Sequence, residues 1–349
     1  MGVVRMRTRP KIGEIAKIAG VSTATVDRVL NNRASVSRRA VTAVREALRS
    51  LTEGKSALPV VNKVFDVILP RDAGQSTEYL RAAFQFHAER MGIRIRCALV
   101  ERLNPGALSA ELRRCAGEGS SGIAFQALED PDVRSTVSQV SNLGIPMLTV
   151  VSGLSGMGID YIGLDNREAG RTAGYLMGLL RKGEGVVAIV WGGHLYRGHD
   201  EREFGFRSIL RNEFPAMDVV DVTCTQDSAQ EASERLDAIL KDRPDISGVY
   251  CVGGGILGTV KALDSHTQSG TRVVIGHNLT TRTRDLLVRK KVDVIIHQDM
   301  VEIARKAINH LTKNERQSND TVSGIPVQVI TRENLSDQLS INNLARFLE

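Results

Sequence analysis

The sequence has no long apolar run, no closely spaced cysteines and no nucleophile motif, and each absence excludes a class of protein. A membrane helix needs about 18 to 20 consecutive apolar residues, and no segment approaches that length. The first residues, MGVVRMRTRPKIGEIAK, are basic but lack the apolar stretch of a secretory signal, so a cytoplasmic protein without membrane contact is expected. Cys97, Cys115, Cys224 and Cys251 lie far apart with no C-x-x-C pair, which points to reduced thiols rather than a disulfide or zinc framework. There is no G-x-S-x-G elbow and no general-base pair at chemical spacing. The turn Gly253-Gly254-Gly255 lacks the later glycine of a dinucleotide fingerprint and the lysine of a phosphate-binding loop. Two readings of it stay open: a phosphate seat at a helix N-terminus and close backbone packing. His194 and His199, with Asp200 and Glu203, have no second cluster to complete a metal site and read as a solvent-facing loop. No enzyme activity, cofactor or metal is expected.

What is present is an ordinary globular composition, 42% hydrophobic and 25% charged over 349 residues, enough for two or three domains. The net charge of +6 is unevenly placed. Residues 1–55 hold 12 Lys and Arg against 4 acids, whereas the rest holds 34 basic against 36 acidic residues. A basic head on a near-neutral body points to a nucleic-acid-binding domain joined to something else.

The head reads as three short helices over residues 1–52. Ile12, Ile15, Ala16 and Ala19 fall on one helix face. Gly20-Val21-Ser22 breaks it, with glycine permitting a positive φ and Ser22 placed to cap the next helix. Val26, Val29 and Leu30 form a second stripe. Ser37 precedes a third, with Val41, Val44, Leu48 and Leu51. Helix, three-residue turn and helix is the helix-turn-helix signature, whose second helix enters the major groove by its N-terminal end.

The string IGEIAKIAGVSTATVDRVLNN resembles the DNA-binding head of the lactose-repressor/galactose-repressor family. The shared elements are Ile15-Ala16, Ala19-Gly20-Val21-Ser22, Thr25-Val26, Arg28-Val29, Asn31 and Val36-Ser37. The resemblance implies that Thr23, Ala24 and Arg28 face base edges, Arg28 through a bidentate bond to guanine. It implies phosphate contacts for Ser22, Thr25 and Asn31. Asp27 departs from the family's small hydroxyl residue. It either accepts from a cytosine amino group, or holds Arg28, or points to solvent. The following stretch LTEGKSALPVVNK (residues 53–63 with its flanks) lacks the family's Tyr-x-Pro-Asn hinge and reads as a flexible tether.

From residue 64 apolar strands alternate with amphipathic helices, which means parallel sheets. Strands are expected at 64–70, 94–100, 122–128, 146–152, 161–166, 185–192, 219–225, 248–254, 273–278 and 292–298. Helices fill the intervals, including 201–213. So many units imply an α/β body of two doubly wound lobes over 64–332, with ligands bound outside the carboxyl ends of the strands. A tail, 333–349, is expected to pack on the body. This body resembles the type I periplasmic sugar-binding-protein fold that the same family carries. The matching elements are Asp165-Asn166-Arg167-x-x-Gly170, Arg202-x-x-Gly205-Phe206, Gly276-His277-Asn278, Gln298-Asp299 and VITRENL.

Strand ends deliver Arg71, Asp72, Gln126, Asp165, His194, Asn278 and Gln298 to one side of the sheets. Carboxylate, amide and guanidinium groups suit hydroxyls, which both donate and accept. Tyr79, Phe84, Trp191 and Tyr196 are candidates for an apolar platform, Trp191 also for the core. Asp165 reads as a helix cap, a ligand contact or both. For Arg202 the resemblance implies effector contact. The reading as a whole is a regulator that binds operator DNA as a homodimer and senses a small sugar or polyol between its lobes. The alternative is the solute-binding protein of a sugar transporter.

Overall fold

The computed structural model describes residues 11–30, 40–41, 43–44, 63–222, 225–266, 272–312 and 324–335, in two units that divide between Asn62 and Lys63. The 53–63 tether up to Asn62, most of the third head helix, Asn31, Cys224 and the tail after Leu335 lie outside the described residues.

In the head, α1 (Ile12–Ala19) opens with the Glu14 carboxylate accepting the Lys11 N–H. It ends at Gly20, whose φ of 63° is the left-handed stop that glycine adopts without strain. The Ser22 hydroxyl then accepts the Thr25 N–H and caps α2 (Thr23–Leu30). Ile15, Ala16 and Val26 bury against Val44, which lies in a helical segment of the third stripe.

In the body, β1 (Val64–Pro70), β2 (Arg94–Val100), β3 (Ile123–Phe125), β4 (Met147–Val150) and β5 (Asp160–Ile162) form a parallel sheet in the order β2-β1-β3-β4-β5. Its helices are α3 (Gln75–Met91), α4 (Pro105–Gly117) and α5 (Pro131–Asn142). The second sheet comprises β6 (Gly185–Val190), β7 (Met217–Val222), β8 (Ile246–Cys251), β9 (Val273–His277), β10 (Val294–His297) and β11 (Gln328–Ile330). They lie in the order β11-β10-β9-β8-β6-β7, with β11 alone antiparallel. Its helices are α6 (Asn166–Leu180), α7 (Arg197–Glu213), α8 (Ala229–Asp242), α9 (Ile256–Asp264) and α10 (Thr281–Val288). β1 is buried along almost its whole length because helices cover both faces, as its continuous apolar run requires.

The chain crosses between the sheets three times. It leaves the first after β5 into α6, returns after β10 into α11 (Met300–Thr312), and goes back through Ile325, bridged to Leu164, into β11. The sequence reading did not anticipate α11. Its signal was present, since Ile303, Ala304, Ala307, Ile308 and Leu311 are at helical spacing and all buried. They pack with Leu80, Ala83 and Phe84 of α3 on the first lobe. Helix α7 also starts four residues before the expected 201, with Tyr196 at its N-cap position and no side-chain cap.

Helices α6 and α7 approach closely through glycine. Gly170, Gly174 and Gly178 recur every four residues on one face of α6. A Cβ at Gly170 would land on the carbonyl of Arg202, one at Gly174 on Ile209, and one at Gly178 on the ring of Phe214. Gly205 of α7 sits equally close to the carbonyl of Arg167.

Candidate functional site

Both sheets present their carboxyl ends to one cavity of about 350 Å³, within the range of small-ligand pockets. The first lobe contributes Asp72 and Gln75 after β1, Arg102 after β2, Gln126 after β3, and Val151 and Ser152 after β4. The second contributes Tyr196, His199 and Arg202 after β6, Asp227 after β7, Gly253–Gly255 after β8, Asn278 after β9 and Gln298 after β10. Four of these hold a positive φ without being glycine: Asp72 (54°), Val151 (65°), Asp227 (55°) and Asn278 (65°). For a β-branched residue such as Val151 this is strained backbone, costing about 1–3 kcal/mol, and such strain gathers at ligand sites.

Arg202 is buried in the lining, only 3% exposed. Its Nε donates to Asn166 Oδ1 at 2.8 Å and its Nη1 to the Val252 carbonyl at 2.9 Å. Asn166 is itself fixed by donating to the Tyr161 hydroxyl. Among the described residues no carboxylate pairs with Arg202. Burial pulls its pKa down from the usual arginine value.

His277 is buried, with Nε2 at 2.7 Å from the Tyr250 hydroxyl. Burial first, then the nearby Arg202, keeps its pKa well below the ordinary histidine value. Burial lowers His199 too, against the pull of Asp227, whose carboxylate stands 3.7 Å from His199 Nδ1. Among the described residues, His199 Nδ1, His277 Nδ1 and Gln298 Oε1 are buried polar atoms without a hydrogen-bond partner. Three such atoms around one cavity are what a polar ligand would satisfy.

The expected residues divide. Asp72, Gln126, Arg202, Asn278 and Gln298 come together in the lining. Arg71, Tyr79, Asp165 and His194 lie outside it, each with another engagement. Arg71 turns back to donate to the Leu99 carbonyl. Tyr79 stands behind the wall, its hydroxyl 2.7 Å from that of Thr281. Asp165 is exposed and caps α6 by accepting the Glu168 N–H. His194 is 80% exposed and meets Asp200 at 2.8 Å. Of the expected platform only Tyr196 lines the cavity. Phe84 is fully buried and Trp191 is 7% exposed in the core, edge-on to His194.

His199, read as part of a solvent-facing loop, is instead a residue of α7 at the cavity. The signal that reveals it is its place three residues before Arg202 on the same helix face. The triple glycine is packed close. A Cβ at Gly253 would meet the His199 ring at 2.5 Å, and one at Gly254 the Asp227 Cβ at 2.7 Å. The Asp227 carboxylate accepts the Gly254 N–H at 3.0 Å, so an internal anion already occupies the seat a phosphate would take.

In the head, Thr23, Ala24 and Arg28 are exposed on α2, while Thr25 and Asp27 are half-buried. The hydroxyls of Ser22 and Thr25 are 2.9 Å apart. Thr23, Ala24 and Arg28, the residues expected at base edges, therefore stand on the exposed face of α2, and Val26 turns inward.

Residues 88–314, more than half of the chain, match the family described as periplasmic binding protein domain. The chain belongs to the periplasmic binding protein domain family. Residues 11–52 match a second family, the bacterial regulatory proteins of the lacI family. A lacI-type head joined to a periplasmic binding protein body is the architecture of a LacI-family regulator, and neither family is enzymatic. No curated protein matches the chain. Among solved structures, the chain is similar to a solute-binding protein of Burkholderia graminis in complex with D-arabinose. Identity is 22%, with 78% of this chain and 97% of the other covered and a TM-score of 0.73. It is also similar to a glucose-galactose binding protein of Geobacillus stearothermophilus, at 20% identity, 78% and 99% coverage, and a TM-score of 0.71. A solute-binding protein of Agrobacterium vitis bound with alpha-D-tagatopyranose is 24% identical, with 81% and 98% coverage and a TM-score of 0.70. At these identities the likeness establishes the periplasmic binding protein fold. Among the described residues no helix is long and apolar enough to cross a membrane.

Proposed function

We propose that the protein is a transcriptional regulator that binds a pseudo-palindromic operator as a homodimer and senses a small sugar or polyol in the interlobe cavity. The observation that carries this reading is the pairing of a lacI-type head with a polar cavity fed by both sheets. One helix-turn-helix reads half a site, so two-fold symmetry is expected of protein and operator together. The lining supports a hydroxyl-rich ligand. Amides Gln126, Asn278 and Gln298 donate and accept, Arg202 donates, and Asp72 accepts. A sugar-bound solute-binding protein among the similar structures fits the same ligand class. The transporter reading accounts for the body but leaves the head unexplained. Repression is the proposed direction, and ligand binding changes operator affinity only by as much as its preference for one cavity state over another.

The test is operator selection from a random DNA pool with the full-length protein, followed by binding measurements at fixed salt. A two-fold-related site is expected. Arg28→Ala is expected to weaken binding to the selected site by about 5- to 150-fold while leaving binding to random DNA nearly unchanged, since a base contact contributes about 1–3 kcal/mol of discrimination. Equal loss on both DNAs would make Arg28 a phosphate contact. No enrichment from the pool, with the sugar-binding cavity functional, would favour the transporter reading.

A further inference from the structure

The charges in the cavity do not cancel where it is deepest. At the rim, exposed Arg282 stands with exposed Asp72. Inside, Arg202 and half-buried Arg102 face a single acid, Asp227. That carboxylate is already engaged by the Gly254 N–H at the start of α9 and stands beside His199. Arg102 donates to the main-chain carbonyl of Asp227, not to its carboxylate. Arg202 has only neutral acceptors, an amide oxygen and a peptide oxygen. A guanidinium cannot shed its proton to escape burial, so a cation held in this way lacks the counter-charge that buried ions ordinarily have.

The neutral groups around it add donors. His277 Nε2 lies 2.7 Å from the Tyr250 hydroxyl, and Nδ1 has no partner among the described residues; a neutral ring that accepts from the phenol carries its proton on Nδ1. The amide of Asn278, also in the lining, carries no charge and accepts from Gln298 Nε2 at 3.2 Å. Among the described residues, one aromatic side chain besides the histidines, Tyr196, lines the cavity, and no pair of rings stands there to sandwich an uncharged sugar face.

We infer that the effector is a polyhydroxylated anion, a sugar skeleton bearing a carboxylate or a phosphate, whose oxyanion is received by Arg202 with Arg102 and His277 beside it. The amides Gln126, Asn278 and Gln298 then read its hydroxyls. This rests on the reading of the cavity as the effector site and narrows its ligand class.

The experiment sets matched series against the full-length protein, following melting temperature and calorimetric binding: glucose, gluconate, glucuronate and glucose 6-phosphate, and the same set built on galactose. A ligand confined to the native state raises the melting temperature. At least one anionic member is expected to bind about tenfold or more tightly than its neutral parent, as a charge-assisted hydrogen bond implies. The carboxylate and phosphate arms identify which oxyanion it is. Asn278→Asp, which adds a carboxylate to the lining, is expected to reduce the anion's affinity at least tenfold more than that of its neutral parent. Neutral sugars binding as well as their acids would overturn the inference and leave the sugar-sensing reading standing. No shift from any member of either series would overturn both.

Discussion

Replacing Gly170 with alanine is expected to lower the melting temperature by roughly 6 to 12 °C and to abolish the thermal shift produced by the ligand. The added methyl would occupy the position of the Arg202 carbonyl. Backbone cannot rotate aside as a flexible side chain can, so α6 and α7 must separate. Overpacking of this kind costs about 3 kcal/mol, and each kcal/mol moves the midpoint by about 2 to 4 °C in a domain of this size. The functional loss follows from the same displacement, because Arg202 is held at 2.8 Å from Asn166, the first residue of α6. Gly117→Ala is the matched control. Nothing lies within 4 Å of a Cβ there, and removing a helical glycine is expected to stabilise by about 0.5 to 1 kcal/mol. Thermal melts of both variants, with and without a ligand that shifts the wild type, decide the matter. A Gly170→Ala protein with an unchanged melt and an unchanged ligand shift would show that the helix contact is looser than described.

Acid is expected to destabilise the body steeply between about pH 6.5 and pH 5, before most carboxylates titrate. His199, His277 and His297 are held neutral in the folded state. Burial is the leading cause in all three, and it carries His297 down to about 4. In the unfolded chain a histidine takes up its proton near pH 6.5. Below that value the unfolded state therefore binds more protons than the folded one, and stability falls as pH falls. Each histidine contributes at most about 1.4 kcal/mol per pH unit, so three together give about 4 kcal/mol per unit in the middle of that window. Asp293 and Asp200 act oppositely, since burial raises their carboxyls. Denaturant midpoints at pH 7.5, 6.5, 5.5 and 5.0 test this. His297→Asn or His277→Gln is expected to flatten the slope by about one histidine's share. A midpoint constant down to pH 5 would mean that these rings are already hydrated or charged in the folded protein.

The parts of this molecule that were legible in the sequence are those governed by local periodicity. The head's α1 and α2 follow from two apolar stripes and one glycine. The strands β1 and β2 and the helix α4 begin and end where their residue patterns do. What escaped depended on long-range geometry. Tyr79 sits one residue from Leu80 of the lining, yet its hydroxyl is taken up by Thr281, and sequence order does not show which side the cavity takes. Arg71 and Asp72 lie in the turn that follows β1, where Asp72 takes a φ of 54° and Arg71 turns back to the Leu99 carbonyl, a choice that sequence order does not show. His199 reads as loop in the sequence because helix α7 begins without a side-chain cap. The α6–α7 glycine contact could be flagged from the Gly170 and Gly205 motifs, but not explained until Arg202 and Arg167 were seen to lie against them.

The return of α11 to the first lobe has a consequence for how the protein is made. Neither lobe is a continuous stretch of chain. The face of the first sheet that Ile303, Ala307 and Leu311 cover is completed only by residues that follow nearly the whole of the second lobe. On the ribosome, Leu80 and Phe84 emerge more than two hundred residues before their partners. The earlier half must therefore wait, with apolar surface uncovered, until the later half has been synthesised. A nascent chain stopped short of Met300 is an incomplete object in both halves, and this is where chaperone dependence and sensitivity to truncation should concentrate.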